Sequence, residues 1–194
     1  MCTLFQTHCN SIVVLTSSHI VRLSGNISNV TMDGHGTIDG DGEAWWNITK
    51  DDRHYRPHLM VLNDITGLSI SDLTFLNSPN HNIEVTRCNT VRVRRINVSA
   101  SGHSPNTDGI NFAGGTDQLI EDSFISNGDD CVSVVCDGST DTQMGYGGNV
   151  HVRNVQCHNG HGVSIGSIRH GTVTNVTVEN VTFVNSENGA RLKV

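Results

Sequence analysis

A two-strand pattern that returns along the whole chain constrains the fold more than any other feature. Segments LSISDLTF from Leu68, VRVRRINV from Val91, QLIEDSFI from Gln118, VHVRNVQC from Val150 and VTVENVTF from Val176 each alternate apolar and polar positions. A second, shorter segment follows each of them: NIEVT from Asn82, DGINF from Asp108, DCVSV from Asp130, GVSIG from Gly162 and ARLKV from Ala190. The pattern recurs at irregular intervals of roughly 22 to 32 residues, within the range of stacked repeats. A β-sandwich also has many short strands, but it does not restore the same two-strand pattern after each turn while tolerating insertions. A solenoid does. No single coil can bury its apolar face alone, so Ile70, Val93, Ile120, Val152 and Val178 are expected to stack in one interior row. Equivalent residues of successive coils then lie about 4.8 Å apart, which turns distant sequence positions into neighbours.

Composition agrees with an all-β chain. Twenty glycines, three prolines and abundant Asn, Ser, Thr and Val favour short strands and tight turns over helices. A length of 194 residues with 36% hydrophobic residues suits one structural unit with a continuous core. The expected organisation is a single domain over 1–194, with the motif-bearing coils from about 68 to 194. A formal charge of -7, with only twelve Lys and Arg, argues against nucleic acid as a partner. An acidic polymer would also be repelled at long range, so a site for one must gather its cations locally. No apolar run approaches the roughly 20 residues that cross a membrane, and the patch from Ile12 to Leu15 is too short for a signal peptide. Six cysteines without a CxxC pair speak weakly for metal, and Cys131 with Cys157 is the pair expected to form a disulfide. Asn-x-Ser/Thr sequons at Asn26, Asn29, Asn47, Asn97, Asn175 and Asn180 suit an extracellular protein, although Asn and Thr are also common in β turns.

The second strand series carries the chemistry. NTDG at 106–109, GDDC at 128–131, GHG at 160–162 and RLK at 191–193 fall on successive coils and should form one surface stripe. That stripe would hold three carboxylates, an imidazole, a guanidinium and an ammonium, the equipment for acid and base hydrolysis of an anionic sugar chain. One Asp in a turn is ordinarily a turn former; four such motifs in register outweigh that reading. Mutual repulsion among clustered carboxylates should raise the pKa of at least one of them. Neighbours in a straight strand point to opposite faces, so Asp129 and Asp130 can both serve one cleft only if the backbone bends or bulges there. Gly160 and Gly162 are expected to leave room beside His161 for substrate, and Arg191 and Lys193 to face outward while Leu192 faces the core.

Together NTDG, GDDC, GHGVSIGS and ARLKV resemble the four signature segments of glycoside hydrolase family 28, the polygalacturonases. GTIDGDGEAWW at 36–46 and FLNSPNHNIEV at 75–85 resemble upstream segments of the same family. The resemblance implies a right-handed parallel β-helix and an inverting hydrolase of α-1,4-linked galacturonan in pectin, with no metal or organic cofactor. By the same resemblance Asp129 is the general acid, Asp108 and Asp130 activate the water, and His161 supports the acid. Asn106, Arg191 and Lys193 are then substrate-binding, the two cations gripping galacturonate carboxylates. Family members are longer at both ends, so the chain is expected to be a central portion of a secreted protein that is monomeric when complete. The segment 136–148 reads as an exposed loop able to narrow one end of the cleft, and the residues leave endo and exo cutting equally open. Three rivals stand beside this reading: a rhamnogalacturonan hydrolase, a pectate lyase, and an inactive galacturonan-binding β-helix.

Overall fold

The computed structural model describes residues 19–48, 56–136, 145–168 and 171–193. Its strands are β1 (His19–Asp33), β2 (Thr37–Asp39), β3 (His58–Ser71), β4 (Thr74–Leu76), β5 (Ile83–Thr86), β6 (Asn89–Arg94), β7 (Asn97–Ser99) and β8 (Ile110–Ala113). They continue as β9 (Gly115–Asn127), β10 (Asp130–Val135), β11 (Tyr146–Asn159), β12 (Gly162–Gly166), β13 (Thr172–Glu179), β14 (Thr182–Val184) and β15 (Ala190–Lys193), with one short helix, α1 (Glu43–Trp46). Every strand pairing is parallel and joins one coil to the next, as in a parallel β-helix.

Three faces wind around the core, where two strand series were expected. The first face stacks β1, the second half of β3, β6 and the leading parts of β9, β11 and β13. The second stacks β2, β4, β7, the ends of β9 and β11, and β14. The third stacks the start of β3 with β5, β8, β10, β12 and β15. The longer sequence segments are therefore two faces joined at a corner. That corner is a column of residues with positive φ: Asp72 (60°), Arg95 (50°), Asp122 (50°), Asn154 (51°) and Asn180 (49°). Asn and Asp tolerate the left-handed region best, so the sequence bends there without a glycine. The bends are bonded to one another. Asn180 Nδ2 donates to Asn154 Oδ1 at 2.7 Å, and Asn154 Nδ2 to Asp122 Oδ1 at 2.9 Å.

The expected interior row is present in register: Ile70 pairs with Val93, Val93 with Ile120, Ile120 with Val152, and Val152 with Val178. The first four are buried, whereas Val178, in the last described coil, is half-buried. A parallel row on the third face runs Leu62, Val85, Phe112, Val134, Ile165 and Leu192. Leu192 shares that inward row as expected but is 77% exposed, because no described coil packs beyond it. The disulfide joins Cys131 to Cys157 as expected, tying the entry of the third face to the interior of the second face one coil later. Most of the segment expected to form a loop at 136–148 lies outside the described residues, as does the patch from Ile12 to Leu15.

Candidate active site

The chain enters the third face through a tight corner, and that corner stacks from coil to coil. His81, Asp108, Asp129 with Asp130, and His161 occupy it in successive coils. Backbone bonds fix the stacking: Asn82 N–H donates to Asp108 O at 2.9 Å, Gly109 N–H to Asp130 O at 2.8 Å, and His161 N–H to Asp129 O at 2.9 Å. Two buried amides knit the turns from inside. Asn82 Nδ2 donates to the carbonyls of Thr107 and Asp108, and Asn127 Nδ2 to those of Thr107 and Asp130. The required irregularity is present as well. Asp129 sits in the bend before β10, and Asp130 pairs with Gly162 and Val132 with Val163, so Cys131 is an extra residue; both aspartates come beside His161, whose Nδ1 is 3.0 Å from Asp129 Oδ1 and 3.9 Å from Asp130 Oδ1.

A second column runs beside this corner, on the outward positions of the strands: Glu84, Asn111, Ser133, Ser164 and Arg191. Asp130 reaches into it. Its Oδ1 accepts from Ser164 Oγ at 2.6 Å and Arg191 Nη2 at 2.7 Å, and its Oδ2 from Lys193 Nζ at 2.5 Å. Arg191 Nε also donates to Ser164 Oγ at 2.7 Å. Burial opposes the charge on Asp130, yet the bonds from Lys193, Ser164 and Arg191 together hold its carboxyl below the usual aspartate range. Asp130 is thus an anchored anion. Arg191 and Lys193, expected to grip substrate, are engaged with this carboxylate, and they stay 26% and 34% exposed.

Asp129 is held more loosely. Its Oδ1 accepts from the backbone N–H of Asp130 at 2.8 Å and lies 3.0 Å from His161 Nδ1, while Asn106 Nδ2 approaches Oδ2 at 3.4 Å. Asp129 and His161 line a cavity of about 530 Å³ with Trp46, Arg56, Pro105 and Asn106. A second cavity of about 400 Å³, between His103 and Glu187, opens on the other side of His161. The two cavities share Gly128 and His161, and read together as one open groove with Asp129 on its wall they suit a chain molecule better than a compact ligand.

Asp108 differs again. Burial, assisted by the charges of Asp129, Asp130 and Glu84 and opposed by His81, pushes its pKa up to about 6. One carboxyl is raised, as expected, but desolvation leads and repulsion follows. The raised group is also the one to which the family resemblance gives water activation.

Glycine has a packing role at this corner beyond the one expected. A Cβ on Gly160 would sit 2.1 Å from the Asp129 carbonyl oxygen, and one on Gly162 would sit 2.2 Å from that of Gly189. These glycines admit the adjacent backbone, because corners at strand spacing leave no room for a side chain between them, and Gly160 also lines the cavity beside His161.

Two groups escaped the sequence reading. Arg56 is buried and donates through Nη1 to Pro105 O and through Nη2 to Asn106 Oδ1, both at 2.7 Å, so it braces the loop that carries Asn106. No local signal marks it. His81 and Glu84 precede the first recognised motif by one coil; their alignment with Asp108 and Asn111 could have found them.

Among the described residues two sets of donors come close enough to consider a metal: Asp129, Asp130 and His161, and separately His58, His81 and Glu84, each within 4.8 Å. In the first, Asp130 already carries two cations, which disfavours a third. In the second, His81 and Glu84 bond directly to each other.

The site is thus a stack of acidic corners with adjoining cations on one face of a parallel β-helix. Residues 6–194 match the model of glycosyl hydrolases family 28, and the chain belongs to that family. It is 34% identical over 172 residues to a probable polygalacturonase of Arabidopsis thaliana, covering 87% of this chain and 35% of that protein. It is 36% identical over 172 residues to a polygalacturonase of Nicotiana tabacum, covering 86% and 41%. The chain therefore spans about two-fifths or less of the length of these relatives. Among solved structures, the polygalacturonase of Erwinia carotovora superposes with a TM-score of 0.79 at 24% identity, over 97% of this chain and 53% of that one, a likeness of fold.

Proposed function

We propose that this chain carries the catalytic centre of a polygalacturonase, hydrolysing α-1,4-galacturonosyl linkages of pectin with inversion. The observation that carries the reading is the division of labour among three stacked carboxylates. Asp130 is held ionised by Arg191 and Lys193, Asp108 is buried and harder to ionise, and Asp129 faces the groove beside His161.

In this mechanism Asp129 gives its proton to the glycosidic oxygen as the bond to the anomeric carbon breaks. A water held by Asp130 and Asp108 attacks that carbon from the opposite face and yields its proton to the carboxylate pair. His161 orients the acid through its contact with Oδ1. The exposed sides of Arg191 and Lys193 supply positive charge for a galacturonate carboxylate, and Asn106 borders the same groove. No metal or organic cofactor enters any step. The polymer locates the reaction outside the cell, where a glycosylated protein that is monomeric when complete would act. Among the described residues no helix is long and apolar enough to cross a membrane.

The test is reducing-end release from polygalacturonate at mildly acidic pH by the chain and by its Asp129→Asn variant, both confirmed folded. Release by the chain and its loss in the variant are expected. New ultraviolet absorbance from an unsaturated product would make the protein a lyase. Binding of oligogalacturonate without turnover would make it an inactive binder, and preferential cutting of rhamnogalacturonan would move the substrate class.

A further inference from the structure

One titratable pair beside the site has no part in the mechanism above. His81 stands at the corner before β5, and its Nδ1 bonds to Glu84 Oε1 on that strand. Its other nitrogen, Nε2, lies 3.6 Å from Asp108 Oδ1. Glu84 is fixed in turn, since Asn111 Nδ2 donates to Oε1 at 2.9 Å from the neighbouring coil. The imidazole therefore lies between two carboxylates, one held by the scaffold and one in the catalytic corner.

We propose that Glu84 and His81 form a positioning pair for Asp108: Glu84 anchors the Nδ1–H of an imidazolium whose Nε2–H is directed at the water-activating carboxylate. This rests on the assignment of water activation to Asp108. The arrangement answers a physical difficulty. Asp108 is buried, and Asp129, Asp130 and Glu84 all disfavour its charge; His81 is the leading charge that favours it. Without a cation there, the carboxyl would stay protonated to a still higher pH than the value of about 6 it has beside His81, and would take a proton from water less readily.

The groups facing His81 account for its own charge. Burial opposes protonation, but Asp108 and Glu84, with Asp129 behind them, push its pKa up to about 9. His58, from β3, meets the ring edge-on with centroids 4.6 Å apart, and its Nδ1 is 4.0 Å from Glu84 Oε1. Glu84 is itself held below its usual range: burial pushes upward, and the bond from His81 prevails, with help from Asn111 and His58. The two partners, both partly buried, thus support each other's charged forms.

The experiment has two readouts on the full chain. Titration of the His81 ring is followed by NMR in the unaltered protein and in the Glu84→Gln and Asp108→Asn variants. Reducing-end release is followed against pH in the unaltered protein, His81→Gln and Glu84→Gln, with thermal unfolding as a check on folding. The ring should titrate above the ordinary histidine value, and each carboxylate substitution should lower its midpoint by about one unit or more. The acid limb of the pH profile should move upward by a similar amount in His81→Gln and less in Glu84→Gln, with kcat falling more than KM rises. A ring that titrates at the ordinary value and ignores Asp108→Asn overturns the proposal, as does an unshifted acid limb in folded, active His81→Gln. If the unaltered chain releases no reducing ends, the hydrolase reading fails and the ring titration alone decides the pairing.

Discussion

Two corners of the same coil show how one scaffold feature serves structure in one place and chemistry in another. Between the first and second faces, Asp122, Asn154 and Asn180 stack coil upon coil, and each amide donates to the oxygen of the residue one coil before it. Earlier on the first face a similar ladder runs from Asn175 to Asn149 to Asp117, with bonds of 2.8 and 2.9 Å. At the entry to the third face the same stacking brings together Asp108, Asp129 and Asp130, which have no amide among them to alternate with. The ladders satisfy themselves. The acidic corner cannot, so it draws on His81, His161, Arg191 and Lys193 from neighbouring positions, and its protonation becomes responsive to pH. Stacked amides hold both donors and acceptors and so close on themselves, whereas stacked carboxylates hold only acceptors and leave charge for a reaction.

The comparison breaks most sharply if substitutions in the two corners have similar effects. Asp129→Asn should lower kcat for reducing-end release by about 10²-fold or more, the ordinary contribution of a general acid, with little change in unfolding temperature. Cys157→Ser should leave the acidic corner chemically intact while removing the covalent tie behind it. The expected cost is about 2–5 kcal/mol in denaturant unfolding, and a cost below about 1 kcal/mol would mean that coil stacking alone secures the bulge.

Next in size is an effect of opposite sign. The raised pKa of Asp108 means that the folded chain binds its proton more tightly than the unfolded chain does. Folded stability is therefore favoured below about pH 4 and declines as pH rises through about 6. Asp108→Asn should accordingly stabilise the protein at pH 7, by about 3 kcal/mol in chemical denaturation, while abolishing turnover. Equal stability of the two proteins at pH 5 and pH 7 would remove the argument that this carboxyl is strained by its surroundings. Asn149→Ala, in the self-satisfied ladder, should cost about 1 kcal/mol or less and leave kcat unchanged; a marked loss of activity would show that the ladders do more than hold coils together.

Much of this was legible in the chain. The interior row from Ile70 to Val178 could be written down in advance because strand alternation is a local signal, and parallel stacking carries it from coil to coil without change of register. The acidic motifs could be found because each keeps the same offset from its strand. The split of one series into two faces was missed, since the bend sits on Asp, Asn and Arg residues, not on glycine or proline. The packing need for glycine at Gly160 and Gly162 was missed for a related reason: it arises from a backbone one coil away.

The sequence by itself determined the solenoid, the order of its motifs, the Cys131–Cys157 bridge and the residues of the acidic corner. Those follow from alternation, spacing and residue type, all properties of short stretches. Only the tertiary structure decided how the three carboxylates differ: which is anchored by Arg191 and Lys193, which lies buried against His81, and which faces the groove. Protonation depends on burial and on charges within a few ångströms, and here those charges come from residues 27 and more than 60 positions away in the chain.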